Sequence, residues 1–379
     1  MKKILLVLAL VISSFAQEKY SEMQIKQMIA KMVILGFTDT KITKNSQIYK
    51  DVEFGLGGVI LFDKDPNDKT KAKNIENLEQ LRVLNQTLQK ISDRKLLISI
   101  DQEGGRVQRL KADIGFNETL NANKVSKKGE IFAKDSYKAM AKGLSDVGIN
   151  LNFAPVVDLA INKNNSVIYK LGRSYSKDAN EVTKYASIFV DELKKEGVLA
   201  TLKHFPGHGS SLADSHLGFV DISNTWSEVE LEPYKYFIEN NKVDLIMTAH
   251  VYNENLDKNY PATLSRNINT KLLRDKLNYQ GVLITDDLQM SAISKHYDLK
   301  QTLTLAINSG VNLLLFANQL AKPISLKEIV DTTYGEVLNK NIKIENIIES
   351  NKKIDDLLKK LWYNLTISAY FGLCLTSFM

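Results

Sequence analysis

Eight short apolar runs, each rich in Leu, Ile or Val and followed by a polar loop and a segment of helical period, recur about every 40 residues along the 379-residue chain. They occupy 32–37, 57–62, 96–101, 151–158, 199–205, 245–250, 281–287 and 312–317. Strands that are apolar on both sides need cover on both faces, which is the condition of a parallel sheet flanked by helices. The stretches 74–92, 177–197 and 302–310 carry apolar residues at every third or fourth position and supply such helices. Each interval holds one strand, one helix and two loops. Eight such units predict an α/β fold closed as a single (β/α)8 TIM-type barrel rather than an open doubly wound sheet.

Ionisable residues gather at the ends of these runs: Asp101, Asp158, Lys203, His204, His250, Asp286 and Asp287. Barrel enzymes assemble their sites at the carboxyl ends of their strands, so this placement puts the chemistry on one rim. The balance of 50 Lys+Arg against 44 Asp+Glu, with Lys2 and Lys3 in the opening segment, is too mild for nucleic-acid binding. A lone cysteine, Cys374, excludes an intramolecular disulfide and any multi-thiolate metal site.

The chain opens with two lysines, an apolar run over 4–12, and small residues at Ser14 and Ala16. That pattern reads as a signal peptide over 1–16, giving a mature protein that begins near Gln17 and is periplasmic or secreted. Left uncleaved, the same run is short for a span but long enough to lodge in a bilayer. The barrel is expected over 17–320 and further helices over 321–360, packed against it. The uncharged stretch 361–379 is a packed tail or a membrane-associated end. Membrane contact is expected only through the leader or this tail, and the protein is expected to be a monomer.

Residues 203–216, KHFPGHGSSLADSH, hold three of the five histidines. His204 and His208 are four apart, but Pro206 and Gly207 prevent the helix that would place both on one face for a metal. The segment GFTDT at 36–40 lacks the His-x-His pair that metal-dependent barrel hydrolases use, by analogy. No metal and no cofactor is expected, and a metal-dependent hydrolase is the weaker reading.

KHFPGHG followed by DSH, DQEGGRVQR at 101–109, GRS at 172–174 and GVLITDD at 281–287 resemble the family-3 glycoside hydrolases. Among these, the chain is similar to the bacterial β-N-acetylglucosaminidases that trim cell-wall fragments. The resemblance runs in consistent order from about residue 22 to about residue 320. It implies a retaining exo-acting hydrolase of β-GlcNAc-terminated glycans or muropeptides, with Asp286 as nucleophile. It assigns the proton donor to His216, with Asp214 hydrogen-bonded to the imidazole. A histidine suits that role, because it titrates near neutrality and an adjacent carboxylate orients it. The resemblance also implies that Asp101, Arg109, Arg173, Lys203 and His204 hold sugar hydroxyls, and that Gly104 and Gly105 let the chain turn beneath the ligand.

The chain departs from the family pattern at Ser210 and Ser211, at Tyr175 and Ser176, and at Gln289. These changes leave the nucleophile and acid in place. A catalytically silent glycan-binding protein on the same scaffold is the rival reading. Adjacent Asp286 and Asp287 are expected to point in opposite directions by strand alternation, with Asp287 anchoring a loop or helix start.

Overall fold

Every apolar run contributes a parallel strand: β1 (Val33–Gly36), β2 (Gly58–Leu61), β3 (Leu97–Ile100), β4 (Leu151–Asn152), β5 (Leu199–Phe205), β6 (Leu245–Thr248), β7 (Val282–Thr285) and β8 (Leu314–Phe316). These are seen in a computed structural model that describes residues 20–212, 218–319 and 321–376, with side chains to Leu361. Spatial neighbours follow chain order, and β8 returns beside β1. The ring closes between β7 and β8, where Ile284 bridges Leu313 and the Leu315 N–H donates to Thr285 Oγ1 at 3.0 Å. This is the expected (β/α)8 barrel. Every residue of the eight strands is buried, as strands covered on both faces require.

The helices follow the same local rules. Leu78–Ile91 starts where Asn77 accepts from the Gln80 N–H, and it buries Leu81, Leu84 and Leu88 on one face. Truncating any of these three to Ala would cost about 2–5 kcal/mol. Ala179–Lys195 is capped by Asp178, and Leu299–Ser309 opens with a reciprocal capping box between Asp298 and Gln301.

The fourth run differs from expectation, since regular strand stops after Asn152. Pro155 lacks the N–H a ladder needs. The run still follows β5, through the Thr201 N–H to the Ala154 carbonyl at 2.9 Å and a bridge between Val156 and Lys203. A helix absent from the sequence reading, Glu22–Lys31, precedes β1. It packs beside Leu326–Leu338 and Ile344–Thr376, tied by Lys26 to Asp331 at 2.9 Å and by Asn351 Nδ2 to the Met28 carbonyl at 2.9 Å. Both C-terminal helices bury apolar residues, including Leu326, Ile329, Ile347 and Ile354. Among the described residues no helix is long and apolar enough to cross a membrane. The leader at 1–16 lies outside the described residues, as do the side chains of the apolar tail beyond Leu361.

Candidate active site

The turn after β3 carries two carboxylates onto the rim. Gly104 and Gly105 adopt φ of 105° and 63°, and a Cβ on Gly104 would lie 2.4 Å from the Leu120 carbonyl oxygen. Only glycine fits that turn. Asp101 receives Lys203 Nζ at 2.9 Å and Arg109 Nη2 at 3.4 Å. Glu103 receives Arg173 through both Nε and Nη2, at 2.8 and 2.7 Å, and also Lys203 Nζ at 2.8 Å. Burial alone would raise both carboxyls, but Lys203 with Arg109 holds Asp101 below its usual range, and Arg173 with Lys203 holds Glu103 well below it. Removing Glu103 would leave two buried cations short of a counter-charge, a loss of about 3–5 kcal/mol. Arg109 Nε is buried and has no partner among the described residues, so the guanidinium keeps a donor for a ligand.

A second network organises the ends of β4 and β5. Asp158, fully buried, takes His204 Nδ1 on one oxygen at 2.6 Å, and the His204 and His208 backbone N–H groups on the other at 3.2 and 2.9 Å. With Nδ1 held by the carboxylate, His204 turns Nε2 toward Arg173 Nη2, 3.5 Å away. His208 bonds Ser211 Oγ through Nδ1 at 2.6 Å. Burial, with neighbouring His204, pushes His208 down to about 4, so it is neutral near pH 7.

Two strands further round the barrel from β5, Asp286 and Asp287 follow β7. Both line a cavity of about 250 Å³ together with Phe62, Asp101, Arg109, Met290 and Gln319. The expected opposition by alternation does not hold, because the strand ends at Thr285 and the alternation ends with it. Hydrogen bonds separate the two carboxylates instead. Asp287 Oδ1 accepts the Ala317 N–H and the Gln289 N–H, both at 3.1 Å, which fastens the β7 loop to β8. Asp286 Oδ1 accepts the Asp287 N–H at 2.8 Å. Asp214 and His216 lie outside the described residues.

Glu230 stands behind the glycine-rich loop that follows β5. A Cβ on Gly207 would sit 2.6 Å from Glu230 Cβ, and Glu230 Oε2 accepts the Gly209 N–H at 2.8 Å. Burial pushes this carboxyl from 4.5 up to about 7. A group whose folded pKa is raised contributes stability that is complete below its unfolded pKa and lost as pH rises through the folded one. On this sign, the wild type should lose about 3 kcal/mol relative to Glu230→Gln between about pH 5 and about pH 8. The Gln variant keeps the acceptor for Gly209 and cannot ionise. Denaturant unfolding at several pH values measures this, and parallel stability profiles for the two proteins would refute it.

The departures from the family pattern are built into the site's surroundings. Tyr175 is buried with its hydroxyl 3.0 Å from that of Tyr137, and its ring stacks on Tyr185. Ser211 also accepts Asn165 Nδ2 at 3.0 Å. Gln289 accepts the Asn318 N–H at 2.7 Å and donates to the Lys322 carbonyl at 3.0 Å. Glu103, Asp158 and Glu230 had no role in the sequence reading. Glu103 and Asp158 stand in motifs already singled out, whereas nothing in the pattern marks Glu230.

A closed eight-unit barrel with its buried ionisable groups gathered at the carboxyl rim has the plan of a (β/α)8-barrel enzyme whose site takes a polar ligand. Residues 19–354 match the glycosyl hydrolase family 3 N-terminal domain. The chain belongs to glycosyl hydrolase family 3. It is 36% identical over 275 residues to a β-hexosaminidase of Haemophilus influenzae, a match covering 70% of this chain and 73% of that one. It is 34% identical over 321 residues to β-hexosaminidase A of Pseudoalteromonas piscicida, covering 79% of this chain but half of the relative. Among solved structures, a family-3 β-N-acetylglucosaminidase from a Paenibacillus species superposes with a TM-score of 0.79 at 32% identity, covering 89% of this chain and 62% of that one.

Proposed function

We propose that the protein is a retaining exo-β-N-acetylglucosaminidase that removes terminal GlcNAc from peptidoglycan-derived or related glycans outside the cytoplasmic membrane. One observation carries the reading: Asp286 lines the same cavity as Asp101 and Arg109, so a carboxylate and the hydroxyl-binding groups face one sugar-sized space. The matched relatives named for β-hexosaminidase and β-N-acetylglucosaminidase activity support the choice of sugar. Asp286 attacks the anomeric carbon as His216, oriented by Asp214, gives its proton to the leaving oxygen. Water then attacks the glycosyl-enzyme while His216 takes a proton back, and the product keeps the β configuration. Asp101, Arg109, Arg173, Lys203 and His204 hold the sugar hydroxyls in one orientation.

Release of nitrophenol from an aryl β-GlcNAc glycoside in the presence of EDTA is the test. Turnover undiminished by the chelator is expected. Binding of GlcNAc without turnover would instead favour a silent glycan-binding protein, and loss of activity in EDTA would favour a metal-dependent hydrolase. The extracytoplasmic setting rests on the leader. Sequencing of the mature N-terminus should start near Gln17 in the periplasmic fraction, and an intact Met1 on cytosolic protein would refute it.

A further inference from the structure

Lys73 is among the largest fully buried side chains, and among the described residues no carboxylate is bonded to it. It stands at the end of an excursion, 62–74, that leaves the barrel after β2 and returns through a bridge between Lys64 and Ala72. Its Nζ has three acceptors: the Ala317 carbonyl at 3.3 Å, the Asn318 carbonyl at 2.5 Å and Gln319 Oε1 at 2.8 Å. Nζ also sits 4.8 Å from the centre of the Phe62 ring, and the Arg109 guanidinium lies 5.1 Å from that same ring. Phe62, Arg109, Ala317 and Gln319 all line the cavity that holds Asp286.

We infer that Lys73 is a positioning residue whose ammonium, bonded to Gln319 and seated on Phe62, sets the wall of the sugar cavity. This rests on the proposed reading of that cavity as the GlcNAc site. An ammonium has three N–H donors, and here it meets three acceptors. A neutral amine has two donors and a lone pair, so deprotonation turns a lone pair toward an oxygen. Two of the acceptors are backbone carbonyls at the end of β8, fixed by the fold. Gln319 is a side chain, anchored at its other end by Nε2 donating to the Lys64 carbonyl at 3.1 Å, so its amide is the group that can reorient. Phe62, which also carries the Arg109 guanidinium, loses the Lys73 cation at the same step.

The proton is held within reach of physiological pH. Burial lowers the Lys73 pKa to about 8, against the opposing pull of Asp65 in its own excursion and Asp287 in the β7 loop. The other charged groups in the cavity wall are Asp63, ion-paired to Lys111, together with Asp101, Asp286 and Arg109. Lys73 is therefore charged below about pH 8, and the clamp loosens as pH rises past that value.

Calorimetric titration of GlcNAc into the full chain tests this in wild type, Lys73→Arg and Lys73→Met. Wild-type affinity should fall about tenfold between about pH 7 and about pH 9, the scale of one charge-assisted hydrogen bond. Arg stays charged, so Lys73→Arg should bind with little change across that range. Lys73→Met should bind about tenfold more weakly than wild type at about pH 7 and show no further loss by about pH 9, where the two should converge. An alkaline loss in Lys73→Arg equal to that of wild type, or wild-type affinity in Lys73→Met at the lower pH, would overturn the inference. A ligand-free readout covers unfolding of the Met variant and failure of the GlcNAc reading. The Gln319 side-chain amide resonance, identified by its absence in Gln319→Ala, should shift with pH in wild type and stay fixed in Lys73→Arg. A shift without any GlcNAc binding would uphold the clamp and reject the cavity's assignment, whereas no shift in wild type would reject the clamp.

Discussion

Asp286→Ala is expected to lower turnover by several orders of magnitude, the scale of losing a covalent nucleophile, while leaving the barrel folded. Asp286 contributes to the cavity wall but is not the residue that ties β7 to β8; that tie runs through Asp287 to the Ala317 and Gln289 N–H groups. Azide should restore part of the rate by entering the space the carboxylate vacates, and the sugar azide formed should have the α configuration. Asp287→Ala should instead lower unfolding stability, because the buried Ala317 N–H loses its acceptor, at about 1–3 kcal/mol, and the partly buried Gln289 N–H loses its acceptor at a smaller cost. The measurements are steady-state rates with and without azide, the anomeric configuration of the first product, and denaturant unfolding. A trapped glycosyl-enzyme on Asp287, or a first product of inverted configuration from the wild type, would overturn the assignment of Asp286.

His216→Ala is expected to cost about a hundredfold or more on substrates with poor leaving groups and far less on activated aryl glycosides. A good leaving group departs without much protonation, so the proton donor matters little to it. The contrast between two substrates therefore reads the role of His216 and not a general loss of structure. Asp214→Asn should follow the same contrast with a smaller amplitude, since the amide still orients the imidazole but no longer stabilises its charged form. Rates on a GlcNAc disaccharide and on a dinitrophenyl glycoside make the comparison, and equal losses on both would count against His216 as the acid.

The unequal legibility of the site has a physical basis. Asp101, Arg109, Lys203 and His204 could be read because they close apolar runs or belong to motifs that recur as local strings. Their expected convergence is partly visible as bonds: Lys203 joins Asp101, and Arg173 stands beside His204. Glu103 stood in the same motif as Asp101 without a role, since any carboxylate two residues further on satisfies the local pattern equally well. Its place became clear only where Arg173, 70 residues away in the chain, closes on both its oxygens. The opposed directions expected of Asp286 and Asp287 failed for a related reason, because alternation belongs to extended backbone inside a ladder and both residues follow the last one in β7.

By itself the sequence determined the barrel, the rim on which its ionisable groups would lie, and the family whose motifs those groups form. The first two follow from periodicity, which backbone geometry imposes locally, and the third from the resemblance of short motifs. Only the tertiary structure decided which charge meets which. It set Asp158 under two histidines, placed Glu230 behind the Gly207–Gly209 turn, and carried Lys73 across 244 residues to the carbonyl of Ala317. Such partners are chosen by distance and by exclusion of water, and both exist only after the chain has closed on itself.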